Sequence, residues 1–266
     1  LMMVRILVCV KQAIDVSQLK VDTATRKLIT VDAPKKISDF DKNALEEAIR
    51  LKEKHGGEVL TLTLGPEDAK TTIREALAMG ADKAYVISDP ALENSDTLAT
   101  SYILAEAVKK LGQFDLVLCG EASTDSFSAQ VGPRLAERLN IPQVTYVRKL
   151  SLEGDVLTAE RSLEDAVETV RAKTPLLVTV TREINEPRIP SLMAIMKASK
   201  KEVVLWKAAD LNLAKERVGE VGSAIKVLDV LAPKVERKKI VIKGENAAEV
   251  AEKLAKALIQ EGVVGR

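Results

Sequence analysis

Short apolar runs alternate with longer stretches of helical spacing through the first half of the chain. Residues 5–10, 59–64, 83–87 and 115–120 are aliphatic and rich in β-branched residues, the pattern of strands buried on both faces. Between them, Ala44, Leu45, Ala48, Ile49 and Leu51 recur at helical spacing from Asp41 to Lys54. Residues 67–79 predict a second helix, with Pro66 before it and Gly80 as its stop. Residues 95–111 and 129–139 predict two more. A small hairpin is expected where 19–22 and 27–31 flank a turn. Strand–helix repetition of this kind predicts a parallel sheet with helices on both faces.

After residue 140 the rhythm changes. Residues 144–147, 150–152, 156–161 and 167–171 read as strands, with Glu153-Gly154-Asp155 as a turn. They predict an antiparallel edge, followed by one more buried strand at 175–180. From about residue 183 the chain carries Pro187, Pro190, a Met-rich helix start and a Lys cluster, with little periodicity until 245. Residues 246–260 then form an amphipathic helix pattern. The expected fold is α/β: a doubly wound, mostly parallel sheet with an antiparallel edge and a C-terminal arm. Residues 1–182 are expected to form the α/β domain, and 183–266 a loop and arm that need a partner to be fully ordered.

Composition removes several reaction classes. Lys and Arg total 40 against 39 Asp and Glu, a net charge of +1, so a general nucleic-acid binder is not expected. Aromatic residues are 3%, too few for stacking platforms along a single strand. His55 is the one histidine, which leaves no multi-histidine metal site, and it reads as part of a solvated helix end. Cys9 and Cys119 lie inside apolar runs and are expected to be small buried residues. No apolar run approaches 18 residues and the N-terminus has no signal-peptide pattern. A cytoplasmic protein without membrane insertion or bound metal is expected.

Open sheets of this class bind ligands beyond the carboxyl ends of their strands, where the strand order reverses. That rule selects the loops after Val10, Leu64 and Cys119. The third is crowded with small and hydroxyl residues: Gly120, Glu121, Ala122, Ser123, Thr124, Asp125, Ser126, Phe127, Ser128, Ala129, Gln130 and Val131, then Gly132. Small residues admit a ligand to the backbone, and a helix start favours phosphate. Asp125 is placed to orient a ribose or to cap the helix. The G-x-x-x-x-G-K-[ST] loop and a G-x-G-x-x-G after the first strand are both absent. A second stretch, Asn185 to Lys201, sets Leu192, Met193, Ile195 and Met196 beside a basic cluster, an adaptable docking feature flanked by prolines.

The chain resembles the β-subunit of electron-transfer flavoproteins over nearly its whole length. The resemblance is carried by Ala76-Leu77-Ala78-Met79-Gly80-Ala81-Asp82, by the Gly120–Gly132 loop, and by Ala159-x-Arg161-x-x-Glu164-Asp165-Ala166-x-Glu168-x-Val170 followed by Pro175-x-Leu177-Val178-Thr179. Asn185-Glu186-Pro187-Arg188 through Ile195-Met196-Lys197-Ala198 resembles the family's recognition loop. The resemblance implies an adenine-nucleotide-binding, Rossmann-like fold and a larger α-subunit that holds the electron-transferring FAD. It implies a structural AMP in this subunit, or, in the electron-bifurcating branch, a second FAD that accepts hydride from NADH. By position, the implied cofactor-binding residues are Cys9, Ser38, Asp39, Phe40, Asp41, Leu64 and Gly120 to Val131, with no catalytic side chain required. Leu192 corresponds to the leucine that anchors partner dehydrogenases. Phe127 stands where the family usually has an acidic residue, Glu121-Ala122 replaces a basic-Gln pair, and Ala166 replaces Gly or an acidic residue. The phrases Ala129–Pro133 and Asp41–Glu47 resemble the bifurcating branch more closely. FAD is therefore the expected ligand, with electrons passing from NADH to ferredoxin and a quinone-linked acceptor. AMP, in a subunit that docks acyl-CoA-type dehydrogenases, is the alternative.

Overall fold

The computed structural model describes residues 3–234 and 237–264. The strand β1 (Val4–Cys9) is followed by β2 (Gln12–Ile14), a hairpin of β3 (Lys20–Val21) and β4 (Leu28–Ile29), and β5 (Lys35–Ile37). Then come α1 (Asp39–His55), β6 (Gly57–Leu64), α2 (Ala69–Met79), β7 (Lys83–Ile87), α3 (Thr97–Leu111), β8 (Leu116–Gly120) and α4 (Val131–Leu139). The second half contributes β9 (Gln143–Glu153), β10 (Val156–Ser162), β11 (Val167–Lys173), β12 (Leu176–Val180), α5 (Leu192–Ser199), β13 (Val203–Trp206) and α6 (Ala247–Gln260).

Among the described residues, nine strands form one sheet in the order β11-β10-β9-β12-β8-β1-β6-β7-β13. Every pairing from β9 to β13 across this sheet is parallel, and β10 joins β9 and β11 in antiparallel register. The central strands are apolar because both faces are covered. Ile6 and Val8 face a core built with α1 and α2. Leu7 and Cys9 face a second core built with α3 and α4. The antiparallel edge ends in β11, whose Glu168, Arg171 and Lys173 leave it charged rather than open for further pairing.

The chain reverses direction about β1. The crossover through α1 leads to β6 on one side, whereas β8 lies on the other. The gap between the carboxyl ends of β1 and β8 is therefore the switch point, and two of the three loops expected to bind, those after Val10 and Cys119, flank it.

Two expectations change. The boundary at residue 182 does not separate the sheet from the arm: Val203–Trp206 adds a strand parallel to β7, and α5 packs against the α/β body through Ala198. The strand is four residues long and only half-buried, so it carries no strong period in the sequence. His55 is half-buried, and its Nε2 is enclosed without a hydrogen-bond partner. Residues 231–232 run along the β3–β4 hairpin, with Ala232 N–H donating to Arg26 O at 2.8 Å. Helix α6 has no buried residue. Among the described residues no helix is long and apolar enough to cross a membrane.

One close approach sets the seat of α4. A Cβ on Gly132 would lie 2.6 Å from Thr179 Cγ2 on β12, a short buried side chain with no room to turn away. Gly132→Ala is expected to lower stability by about 1–3 kcal/mol through overpacking, read by urea unfolding. Adding Thr179→Ser removes that methyl and keeps the hydroxyl that accepts Tyr146 N–H; it should recover part of the loss. No recovery would show that this contact is not the constraint.

Candidate functional site

The site is assembled around Lys11, two residues past the end of β1. Its carbonyl accepts the Ser38 N–H at 3.0 Å, its own N–H donates to Asp41 Oδ2 at 2.8 Å, and its Nζ lies 2.7 Å from Asp125 Oδ1. One residue thus ties β1, the first turn of α1 and the loop after β8. Asp41 completes the tie, because its Oδ1 accepts the Gly120 N–H at 3.1 Å. Position 120 must be glycine for this closeness: a Cβ there would sit 2.6 Å from Phe40 Cβ and 2.7 Å from Asp41 Oδ1. The third loop is brought in by Thr63, whose hydroxyl donates to Val10 O at 2.6 Å just before Leu64. Cys9, Ser38, Asp39, Phe40, Asp41, Leu64 and the loop from Gly120 to Val131 therefore lie at one edge of the sheet.

Electrostatics differ sharply across a short span. Burial pushes the Asp41 carboxyl up to about 7, against the two backbone donors and Lys11, which pull it down. Burial also pushes Asp125 up, but there the Lys11 ammonium and hydroxyl contacts win, and its carboxyl lies below the usual range. Asp125 caps no helix; it is held by Lys11. Cys9 and Cys119 are both buried, as expected, and the hydrogen bond between the two thiols, with burial, raises Cys119 well above the ordinary thiol value. Burial raises Glu121 too, helped by Glu183. This edge is suited to binding rather than to side-chain catalysis, and among the described residues no group of three His, Cys, Asp or Glu could hold a metal.

Two features leave donors unused. The N-terminus of α4 has Gln130 at its cap position with no side-chain cap, and with Pro133 in the first turn the amides it leaves are those of Val131 and Gly132. Thr124 Oγ1 is enclosed without a hydrogen-bond partner, although its N–H reaches Ser38 Oγ at 3.3 Å. Beside Asp125 a mostly apolar cleft of about 410 Å³ opens, lined by Ile14, Val16, Leu28, Lys27 and Val230.

The docking candidates lie outside this cluster. Leu192, Met193, Ile195 and Met196 are exposed on α5, Leu192 by 74%. The segment leading to them is fastened to α1. Arg188 Nε reaches the buried carboxylate of Glu46 at 2.8 Å, and its two terminal nitrogens reach Glu53 at 2.6 and 3.0 Å. Asn185 adds bonds to Asn43 O and Glu47. Sequence reading missed Lys11 and the Glu46–Arg188 pair. A lysine directly at a strand's carboxyl end was a usable signal for the first; nothing local marks the second.

The sequence matches the model of the electron transfer flavoprotein domain over residues 25–211. It is 45% identical over 260 residues to the electron transfer flavoprotein subunit beta of Thermoanaerobacterium thermosaccharolyticum, covering 97% of this chain and 99% of that one. It is 38% identical over 261 residues to the caffeyl-CoA reductase-Etf complex subunit CarD of Acetobacterium woodii, covering 98% and 100%. With the protein FixA of Azorhizobium caulinodans it shares 38% over 242 residues, covering 88% and 86%.

The raised Asp41 carboxyl gives a signed pH test. Its pKa is 3.8 in the ordinary case and about 7 when folded, so the folded chain holds the proton more tightly. That stabilisation is complete at pH values below 3.8 and is lost as the pH rises through 7. Denaturant unfolding between pH 5 and 8 should show wild type losing more stability than Asp41→Asn over the same interval. Equal slopes in the two proteins would contradict a buried, titrating Asp41.

Proposed function

The chain belongs to the electron transfer flavoprotein β-subunit family, and from that membership we propose that it pairs with a larger α-subunit and binds FAD at the loop after β8, passing electrons from NADH to ferredoxin and a quinone-linked acceptor. The observation that carries the reading is the meeting of three strand-end loops around Lys11 and Asp41, from which the loop with the enclosed, unpartnered Thr124 hydroxyl leads to the uncapped start of α4. Free amides at a helix start suit a diphosphate, and the unpaired hydroxyl is a donor awaiting an acceptor. The small side chains of Ser123, Ser126, Ser128 and Ala129 suit approach of a ligand to the loop backbone.

FAD is favoured over AMP by room. The cleft beside Asp125, lined mainly by apolar residues of 14–28 and Val230, is space that a mononucleotide does not need. When bound, FAD supplies hydride acceptance and electron transfer. The chain's own part is to orient the ligand and set its field. Lys11 contributes a positive charge at the mouth, Asp125 is held ready for a ribose hydroxyl, and Cys9 and Leu64 close the apolar side.

Partner contact falls to the second half. The exposed Leu192, Met193, Ile195 and Met196 form the surface proposed to seat a dehydrogenase or quinone-linked oxidoreductase. Helix α6, with Leu254 and Ile259 exposed and no residue buried, is proposed to pack on the α-subunit.

The test is to purify the complex from its source, denature it, and quantify released FAD and AMP. Two FAD per heterodimer with no AMP is the expected result, followed by bleaching of the flavin on NADH titration. One FAD with one AMP would overturn the FAD assignment and leave a docking subunit with a silent nucleotide.

A further inference from the structure

We propose that Phe127 is the stacking wall of the nucleotide site, its ring packing on the planar heterocycle of the bound nucleotide. This rests on the reading of residues 120–131 as the nucleotide loop and assigns a role within it. The chain has three phenylalanines. Phe114 is buried in the core, whereas Phe127 is 66% exposed at the loop, with its ring 5.7 Å from that of Phe40 at an interplanar angle of 63°. So in a chain poor in aromatic residues, two of three phenylalanines meet edge-to-face at the place where a ligand is expected. Phe40 is anchored in the first turn of α1 and backs the outer ring.

The outer ring is also held in place. Phe127 has φ +48, and its N–H donates to Ser123 O at 2.9 Å, so a hydrogen-bonded turn fixes the side chain outward. A bulky residue in the left-handed region and an apolar ring left in water both cost free energy, and neither yields anything to the isolated fold. A heterocycle laid on the ring recovers the second cost and offsets the first. The enclosed Thr124 hydroxyl, three residues back in the same loop, independently points to a ligand at this spot. Stacking tolerates any planar base, so the adenine of AMP or FAD and the isoalloxazine of FAD share the required chemistry.

The experiment titrates AMP and FAD into the nucleotide-stripped complex carrying wild-type chain, Phe127→Ala or Phe127→Trp. Wild type is expected to bind, and Phe127→Ala to bind roughly 10- to 100-fold more weakly. Equal loss for AMP and FAD assigns the adenine as the stacked ring; loss for FAD alone assigns the isoalloxazine. Phe127→Trp should keep wild-type affinity, and bound nucleotide should quench its indole beyond the signal of Trp206. Affinities of Phe127→Ala within twofold of wild type for both ligands, or an introduced indole that stays unquenched while nucleotide binds, would overturn the proposal. If wild type itself binds neither ligand, the nucleotide-loop reading falls, and this assignment falls with it.

Discussion

A single buried carboxylate holds the functional edge of this protein together. Asp41 accepts one backbone N–H from the end of β1 and another from the end of β8, the two strands between which the sheet reverses its order. Parallel strands diverge past their carboxyl ends, and a gap there would normally fill with water. Here the carboxylate bridges the gap, and glycine at 120 lets α1 approach closely enough for it to do so. Removing one partner from such an arrangement strands a buried polar group, which is costlier than never having built it. The loop that follows β8 therefore begins from a fixed point, and its Thr124 hydroxyl is left enclosed without a protein partner.

Helix α1 carries that constraint across the molecule. Its first turn holds Asp41, and the turns behind it hold Glu46, Glu47 and Glu53, which receive Asn185 and Arg188 from the segment before α5. Burial works against the Glu46 carboxylate, but Arg188 and Arg50 outweigh it and keep the group ionised. The bidentate geometry of such pairs fixes orientation as well as distance. One rigid helix thus positions both the edge where the strand-end loops meet and the root of the exposed apolar helix. A family of electron carriers needs both kinds of surface, one for a cofactor and one for a partner.

Much of this was legible in the sequence. The runs 5–10, 59–64, 115–120 and 175–180 are apolar because their strands are covered on both faces, and burial of that kind leaves a continuous signature. The loop after Cys119 announced itself by its glycine and hydroxyl residues at a strand's carboxyl end. Strand β13 did not, because four half-buried residues beside a lysine cluster carry no period. The tie made by Lys11 was hidden for another reason: its bonds to Ser38 and Asp41 use the backbone, which looks the same at every position. Phe127 was visible as a departure from the family pattern, but the meaning of that departure appears only beside Phe40, brought near by the fold.

We propose the edge formed by residues 38–41, 64–65 and 120–131 as the nucleotide site, separate from the docking surface on α5. Hydrogen exchange on the complex, compared with and without its nucleotide, tests it most directly. The account expects slowed exchange at the amides from Gly120 to Val131 and at the first turn of α1, with residues 192–196 unchanged. Protection confined to residues 192–196 or to α6, with the loop after β8 exchanging equally fast in both states, would contradict it.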